Sequence, residues 1–93
     1  MKGKYVVVRT YSAGVHVGEL VSRDGKEVEL ANARRIWYWK GRFTLHEIAN
    51  SGLGNGSKIS EPVISIALTE AIEIIPTSEA GEKALRGFSA FAI

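Results

Sequence analysis

The stretch from Arg9 to Gly18 reads RTYSAGVHVG and joins two apolar runs through one short turn. The run that enters it, Lys4–Arg9, is short and β-branched, and the run that leaves it continues to Ser22, so both favour strands. The turn carries a cation, hydroxyls and backbone N–H groups that can bind an anion, and an aromatic ring that can stack on a base. Ser-Ala-Gly also suits a plain hairpin. The turn therefore has two interpretations, a hairpin and an anion site.

Further signals extend this pair of strands into an antiparallel sheet. Asp24-Gly25 is a strong hairpin signal, and Lys26–Leu30 after it alternates polar and apolar residues as a half-exposed strand does. Gly18 inside the second run indicates a bulge or a close backbone approach. After a short link at 31–33, the run RRIWYW (34–39) predicts another strand. Each turn is only a few residues long, which predicts a β-meander.

The RRIWYW strand combines cations with aromatic rings. Side chains alternate along a strand, so one face is expected to carry Arg35, Trp37 and Trp39, and the other Arg34, Ile36 and Tyr38. Aromatic rings beside arginines form a platform on which bases stack, at about 1–3 kcal/mol per base. Tryptophans in a small domain also serve the core or a subunit interface. We expect one of the two tryptophans to be structural, and the sequence leaves open which one.

The second half of the chain predicts two more strands and one or two short helices. Thr44-Leu45-His46-Glu47 matches a capping box, which opens a helix to about Ser51. The runs at 62–68 and 70–75 favour strands, the second because β-branched residues precede Pro76. Ser78 is the expected N-cap of another helix, and Gly87 is its expected stop.

Two segments keep alternative interpretations. The glycine-rich residues 52–57 form either a lid over a ligand or a connector, and the connector is favoured. The apolar tail at 88–93 packs on its own domain or at an oligomer interface. The whole pattern predicts an α+β fold: one small β-rich domain spanning 1–93, with an antiparallel meander of about five to six strands and one or two short helices.

Composition limits the partner and the compartment. The 93 residues contain no cysteine, so there is neither a disulfide framework nor a thiolate metal site. The net charge of +2 divides unevenly, since residues 1–46 hold nine Lys and Arg against four Asp and Glu. An anionic partner is expected at this basic half, although its charge is too modest for long duplex nucleic acid. With no membrane span or leader in the sequence, we expect a cytoplasmic protein.

The sequence contains no recognisable catalytic or cofactor-binding motif. The two histidines, His16 and His46, have no metal-ligand spacing, so no metal site is expected. Ser12 lacks the G-x-S-x-G elbow and an acid–base relay. Neither G-x-G-x-x-G nor a P-loop is present. We therefore expect no catalytic residues, no cofactor and no enzymatic activity.

The remaining hypothesis is a nucleotide-binding site built from the basic turn and the aromatic strand. Arg9, Thr10, Ser12 and Gly14 would hold phosphate, because an arginine fork and hydroxyls donate to its oxygens. Tyr11, Trp37 or Trp39 would stack a base, and His16 with Arg34 or Arg35 would fix edges and phosphates. The candidate ligand-binding residues are Arg9, Thr10, Tyr11, Ser12, Ala13, Gly14, His16, Arg34, Arg35, Trp37 and Trp39.

Three segments carry a family resemblance: RTYSAGVHVGEL (9–20), SRDGKEVELANARRIWYW (22–39) and LTEAIEIIPTSE (68–79). They resemble a family of short phage and prophage proteins described as a domain of unknown function, over about residues 4–83. By analogy of role and composition, such a domain looks like the phage anti-defence sponges that sequester cyclic-nucleotide immune signals.

That likeness implies a non-catalytic, homo-oligomeric protein of the host bacterial cytoplasm. Its expected partner is a cyclic di- or trinucleotide or a related nucleotide signal, captured at subunit interfaces. Two alternatives remain: a single-stranded nucleic-acid binder, and a protein–protein inhibitor of a host factor that uses the apolar tail and the exposed aromatics.

Overall fold

The computed structural model describes residues 2–91. Within them, six antiparallel strands form one sheet that packs against two short helices. In chain order the elements are β1 (Tyr5–Thr10), β2 (Val15–Asp24), β3 (Glu27–Tyr38), α1 (Leu45–Ser51), β4 (Lys58–Ile59), β5 (Val63–Leu68), β6 (Ala71–Pro76) and α2 (Glu79–Gly87). The predicted small, β-rich α+β fold is confirmed.

The order of the strands places the first hairpin at the centre of the sheet. The sequence of neighbours is β4-β3-β2-β1-β6, and β5 pairs with the first half of β3 while β4 pairs with its end. The local meander thus comprises β1 to β3. The chain then passes through α1 and returns β6 to the free side of β1, which brings residues more than sixty positions apart into register.

The pairing of β2 with β3 is irregular at two places, between Val17 and Glu19 and between Leu20 and Ser22. The predicted link at 31–33 is wrong, because β3 runs without interruption through it and only Asn32 takes a left-handed φ of 50°. The register of β2 shifts at Gly18, as a bulge does, and a Cβ there would meet the Ala31 carbonyl oxygen at 3.0 Å. Gly18 therefore provides both the bulge and the close backbone approach that the sequence indicates.

The two faces of the sheet support two separate cores. One core lies under the helices and includes Val7, Val17, Ile36, Ile48 and Leu85. The other lies on the opposite face, and it includes Val6, Val8, Leu20, Leu30 and Leu68. Because both faces are covered, the run from Tyr5 to Val8 is buried at every position instead of alternating.

The helices begin where the sequence predicts and cross closely. The Ser78 hydroxyl accepts a hydrogen bond from the Gly81 N–H at 3.0 Å, and the Glu47 carboxylate accepts one from the Thr44 N–H at 3.0 Å. A Cβ on Gly81 would fall inside the van der Waals radius of the Ala49 carbonyl oxygen. The absence of a side chain at Gly81 thus allows α2 to pack directly on α1.

Residues 52–57 form a connector between α1 and β4. A Cβ on Gly54 would clash with the Lys40 carbonyl oxygen, and the Ser57 hydroxyl accepts a hydrogen bond from the Lys40 N–H at 2.9 Å. Gly54 and Gly56 therefore allow close packing against Lys40, just after β3, and Gly52 allows close packing against Ala84 of α2. β4 has only two residues, which is too short for a sequence pattern to reveal.

Replacing Gly81 with alanine tests the helix crossing. We expect Gly81→Ala to lower the free energy of unfolding by about 1–3 kcal/mol, because the added methyl forces α2 away from α1. Gly87→Ala is the matched control, since its added Cβ meets no neighbouring atom of residues 2–91 within 4 Å. Urea unfolding followed by circular dichroism measures both, and equal stability of the two variants would contradict the crossing.

Candidate functional site

The turn between β1 and β2 is held by its own hydrogen bonds. The Thr10 hydroxyl donates to the Gly14 carbonyl at 2.7 Å and accepts from the Ala13 N–H at 2.9 Å. The Thr10 N–H also donates to the Gly14 carbonyl, at 3.0 Å. Gly14 adopts a φ of 83°, the left-handed conformation that glycine permits. Thr10 and Ala13 therefore stabilise the turn, and few of their hydrogen-bond donors remain available to a ligand.

A glutamate lies against the outer side of this turn. The Ser12 hydroxyl donates to a Glu70 carboxylate oxygen at 2.7 Å, and the Tyr11 N–H donates to the Glu70 carbonyl at 3.0 Å. A negative charge at this place opposes a second anion. The phosphate position predicted at Ser12 is thus less favourable than the sequence suggests, whereas the Tyr11 ring stays exposed.

His16 is buried and neutral in this fold. Its side chain is 1% exposed, and its Nε2 lies 2.9 Å from the Ala13 carbonyl oxygen, to which the N–H donates. Burial lowers the pKa of His16, the hydrogen bond to Ala13 raises it in part, and the nearby positive charge of Arg35 lowers it again. Protonation of His16 is therefore unfavourable. Its hydrogen bond to the Ala13 carbonyl stabilises the turn.

The two adjacent arginines have different environments. Arg34 is buried: its Nε donates to the Ser60 carbonyl at 2.8 Å, and one terminal nitrogen donates to the Leu85 carbonyl at 2.8 Å. It joins the sheet to the end of α2, so it is occupied by structural contacts. Arg35 is exposed, pairs in register with His16 and projects from the opposite face of the sheet.

A bulge separates the two tryptophans. Ile36 pairs with Ile59 and Tyr38 with Lys58, so Trp37 is the extra residue in β3. Beyond this shift, Trp39 packs against the helix-side core that contains Ile36. The prediction that Trp39 shares a face with Trp37 is wrong because the bulge reverses the alternation.

Trp37 lies instead in an exposed aromatic cluster at the edge of the sheet. It is 51% exposed and meets Phe91 edge-on with ring centroids 5.3 Å apart, while the Lys58 ammonium lies 5.1 Å from the Trp37 ring centroid. The Phe91 N–H donates to the Ile59 carbonyl at 2.9 Å, and Phe88 packs against the helix-side core. The tail at 88–91 therefore packs on its own domain, and residues 92–93 lie outside the described chain.

The predicted ligand-binding residues consequently separate onto two faces. Arg9 and Trp39 lie on the helix side of the sheet, and His16 and Arg35 lie on the other side. Neighbouring side chains of a strand point in opposite directions, so Val15 and His16 cannot line the same cavity. A single ligand on one protomer cannot contact all of the predicted residues.

A cleft of about 440 Å³ opens on the helix side, between the ends of β1 and β6 and the segment that leads into α1. We call it the helix-side cleft. Its lining combines aromatic, basic and acidic side chains: Arg9, Val15, Trp39, Phe43, Thr44, Leu45, His46 and Glu73. The Phe43 ring is 95% exposed, so little of its surface is covered by the chain itself. Such a ring is available to stack on a ligand.

The charged pair in the helix-side cleft comes from β1 and β6. Arg9 and Glu73 are partners in register, and their closest nitrogen and oxygen are 3.9 Å apart. At that distance they attract each other without a hydrogen bond, and both are partly exposed. Phe43, His46 and Glu73 were not predicted from the sequence as site residues. Phe43 precedes the capping box, and His46 lies inside it. The capping box, which indicates the start of a helix, was the only sequence pattern near these two residues.

A smaller cavity of about 220 Å³ lies on the opposite face, lined by His16, Ala33, Arg35, Ser60, Val63 and Ile66. Among the described residues, its lining includes a cation and no aromatic ring. Within residues 2–91, no three His, Asp or Glu side chains are grouped as a metal site would require. None of the helices described is long and apolar enough to cross a membrane.

The buried state of His16 predicts a pH-dependent stability. Because folding lowers its pKa below the unfolded value of about 6.5, the unfolded chain binds more protons and stability falls as the pH drops through that value. His16→Gln keeps an N–H donor but does not titrate, so its free energy of unfolding should fall less between about pH 7.5 and pH 5 than that of the wild type. His46→Gln, at an exposed position, is the control. An NMR titration that gives His16 a pKa of about 6.5 or higher would contradict this assignment.

Comparison with known proteins gives one family. No curated protein and no solved structure matches the chain. The family model described as a domain of unknown function (DUF6948) matches residues 3–85. The chain therefore belongs to this family of domains of unknown function.

Proposed function

We propose that this protein is a non-catalytic binding module that holds a nucleotide in the helix-side cleft. One observation carries the proposal: the fold brings Arg9 of the basic turn and Trp39 of the aromatic strand to one cavity, and adds the exposed ring of Phe43. A cation beside two aromatic side chains suits a ligand with a phosphate and a base.

The size of the cleft supports a small ligand. Small-molecule sites commonly enclose roughly 300–1,000 Å³, and the helix-side cleft measures about 440 Å³. Phe43 stacking on a base would contribute about 1–3 kcal/mol. Arg9 would add a charge-assisted hydrogen bond to phosphate, with its strength reduced by its exposure and by Glu73.

The physiological role we propose is sequestration of a cyclic oligonucleotide or a related nucleotide immune signal, which would block host anti-phage defence. The resemblance to short phage proteins supports this role, as does a sequence without a catalytic motif. Sequestration requires that the ligand be enclosed on several sides. One open cleft does not enclose a cyclic dinucleotide, so the proposal includes a second subunit.

The edges of the sheet support self-association through β5. The β4 edge is covered by the tail, where Phe91 donates to Ile59, and β6 carries Glu73 and Pro76. β5, by contrast, has neither charge nor proline between Val63 and Leu68, and its Ile64 is 88% exposed. Charges and prolines are the usual protection of an edge strand. A neutral edge without them fits the same edge of a second copy, with no charge repulsion within the paired strands.

The test is retention of nucleotide on the purified protein. We would incubate it with mono-, cyclic di- and cyclic trinucleotides, remove free ligand, denature the protein and chromatograph the supernatant. Intact nucleotide is expected. Phe43→Ala and Arg9→Gln should each reduce retention by about tenfold, since each removes one stacking or phosphate contact. Tyr38→Ala and Arg23→Gln are matched controls for an exposed ring and an exposed arginine outside the cleft.

Each outcome has a defined meaning. A cleaved product would place the protein among enzymes, and no retained nucleotide would contradict the proposal. Light scattering on the same column should give a dimer or a larger species, and a monomeric mass would remove the oligomer from the proposal. Retention of oligonucleotides that grows with their length and is lost in salt would favour single-strand binding at the Trp37 cluster.

A further inference from the structure

The helix-side cleft presents a carboxylate beside its aromatic rings. We infer that this cleft selects guanine among the nucleobases, with the Glu73 carboxylate accepting hydrogen bonds from the guanine N1–H and 2-amino groups and with Arg9 turned to the phosphate. The inference rests on the proposed function and specifies its ligand. Glu73, which was not among the predicted site residues, becomes the residue that determines specificity.

The hydrogen-bonding edges of the bases make this assignment selective. An ionised carboxylate only accepts hydrogen bonds, and its two oxygens suit two adjacent donors. Guanine offers two adjacent donors, N1–H and the 2-amino group. Adenine and cytosine place an acceptor beside their amino group, and uracil places its single N–H between two acceptors. Each of these three bases would turn an acceptor toward a negative charge, which costs free energy.

The backbone fixes Glu73 on the ligand side of β6. Ile75, two residues further along the same strand, packs in the helix-side core, so the alternation of the strand directs Glu73 to the same face. Pairing in register with Arg9 holds this position relative to β1. Phe43 and Trp39 line the same cavity, so a base stacked on either ring can turn its edge toward Glu73.

The Glu73 oxygens are available to a ligand. Within residues 2–91 the Glu73 carboxylate accepts no hydrogen bond, and its one charged neighbour is Arg9 at 3.9 Å. Glu70, the other carboxylate near the turn, already accepts a hydrogen bond from Ser12 at 2.7 Å. The Glu73 side chain is 41% exposed, so a ligand can reach its oxygens from solvent.

Arg9 and Glu73 together set the orientation of the ligand. Their loose contact can open without the loss of a hydrogen bond, which frees the guanidinium for a phosphate oxygen. A phosphate at Arg9 and a guanine edge at Glu73 place a negative group on the cation and two donors on the anion. The reversed orientation would bring phosphate to a carboxylate, so it is disfavoured by like-charge repulsion.

Calorimetric titration of the wild-type protein with GMP, IMP and AMP tests the assignment. GMP should bind about ten- to a hundredfold more tightly than AMP, because AMP leaves the carboxylate facing an acceptor. IMP keeps N1–H and lacks the 2-amino group, so its affinity should lie between the two. GMP, IMP and AMP carry the same phosphate, so their ratios report on the base alone.

Two variants locate the selectivity. Glu73→Gln should abolish most of the GMP preference, since an amide offers one acceptor and one donor, and Glu73→Asp should do the same by withdrawing the carboxylate by one methylene. Glu70→Gln is the matched control: it removes a charge close by, so both affinities can change while the GMP-to-AMP ratio stays constant. Circular dichroism verifies that each variant is folded. If Glu73→Gln does not fold, the test relies on Glu73→Asp.

The outcomes separate this inference from the proposed function. Equal affinities for GMP and AMP, or a preference that survives both Glu73 variants, would overturn the guanine assignment while the cleft remains a nucleotide site. Failure of all three nucleotides to bind, with the cyclic nucleotides also not retained, would overturn both. Retention of cyclic nucleotides that lack guanine, at affinities equal to those that contain it, would again refute the role of Glu73 alone.

Discussion

The buried guanidinium of Arg34 connects the sheet to the helices, and the helix-side cleft depends on that connection. A buried charge is unfavourable unless its donors are satisfied, and here the Ser60 and Leu85 carbonyls accept from it at 2.8 Å each. The bond to Leu85 holds the end of α2 against β3, and the bond to Ser60 holds the residue that follows β4. α2 in turn packs on α1 at Gly81, and the segment before α1 carries Phe43. Arg34 therefore contributes to the position of Phe43 in the wall of the cleft, although Arg34 does not line the cleft itself.

The fold was largely predictable because its signals are local. Asp24-Gly25, the capping box at Thr44 and the N-cap at Ser78 each act within a few residues, and each occurs where the sequence indicates. The errors have local causes as well. Asn32 takes a left-handed conformation and lets β3 continue through a predicted link, and the bulge at Trp37 reverses the alternation that was expected at Trp39.

The site was only partly predictable, because a cavity depends on residues distant in sequence. Arg9 and Trp39 were both identified as candidates, and the fold brings them to one cleft. Arg34 and Arg35 have the same chemistry, and only tertiary packing makes one a structural residue and leaves the other exposed. Glu73 meets Arg9 through the pairing of β1 with β6, a register that no local pattern specifies. That pairing gives the cleft its mixed charge.

The proposed function requires that a nucleotide bind on the helix side of the sheet. Titration of the 15N-labelled protein with GMP, followed by amide and indole NMR shifts, tests it most directly. The perturbed signals are expected to be those of Arg9, the Trp39 indole, Glu73 and the segment 43–46. Perturbations centred on His16 and Arg35, or on Trp37 and Lys58, would contradict it.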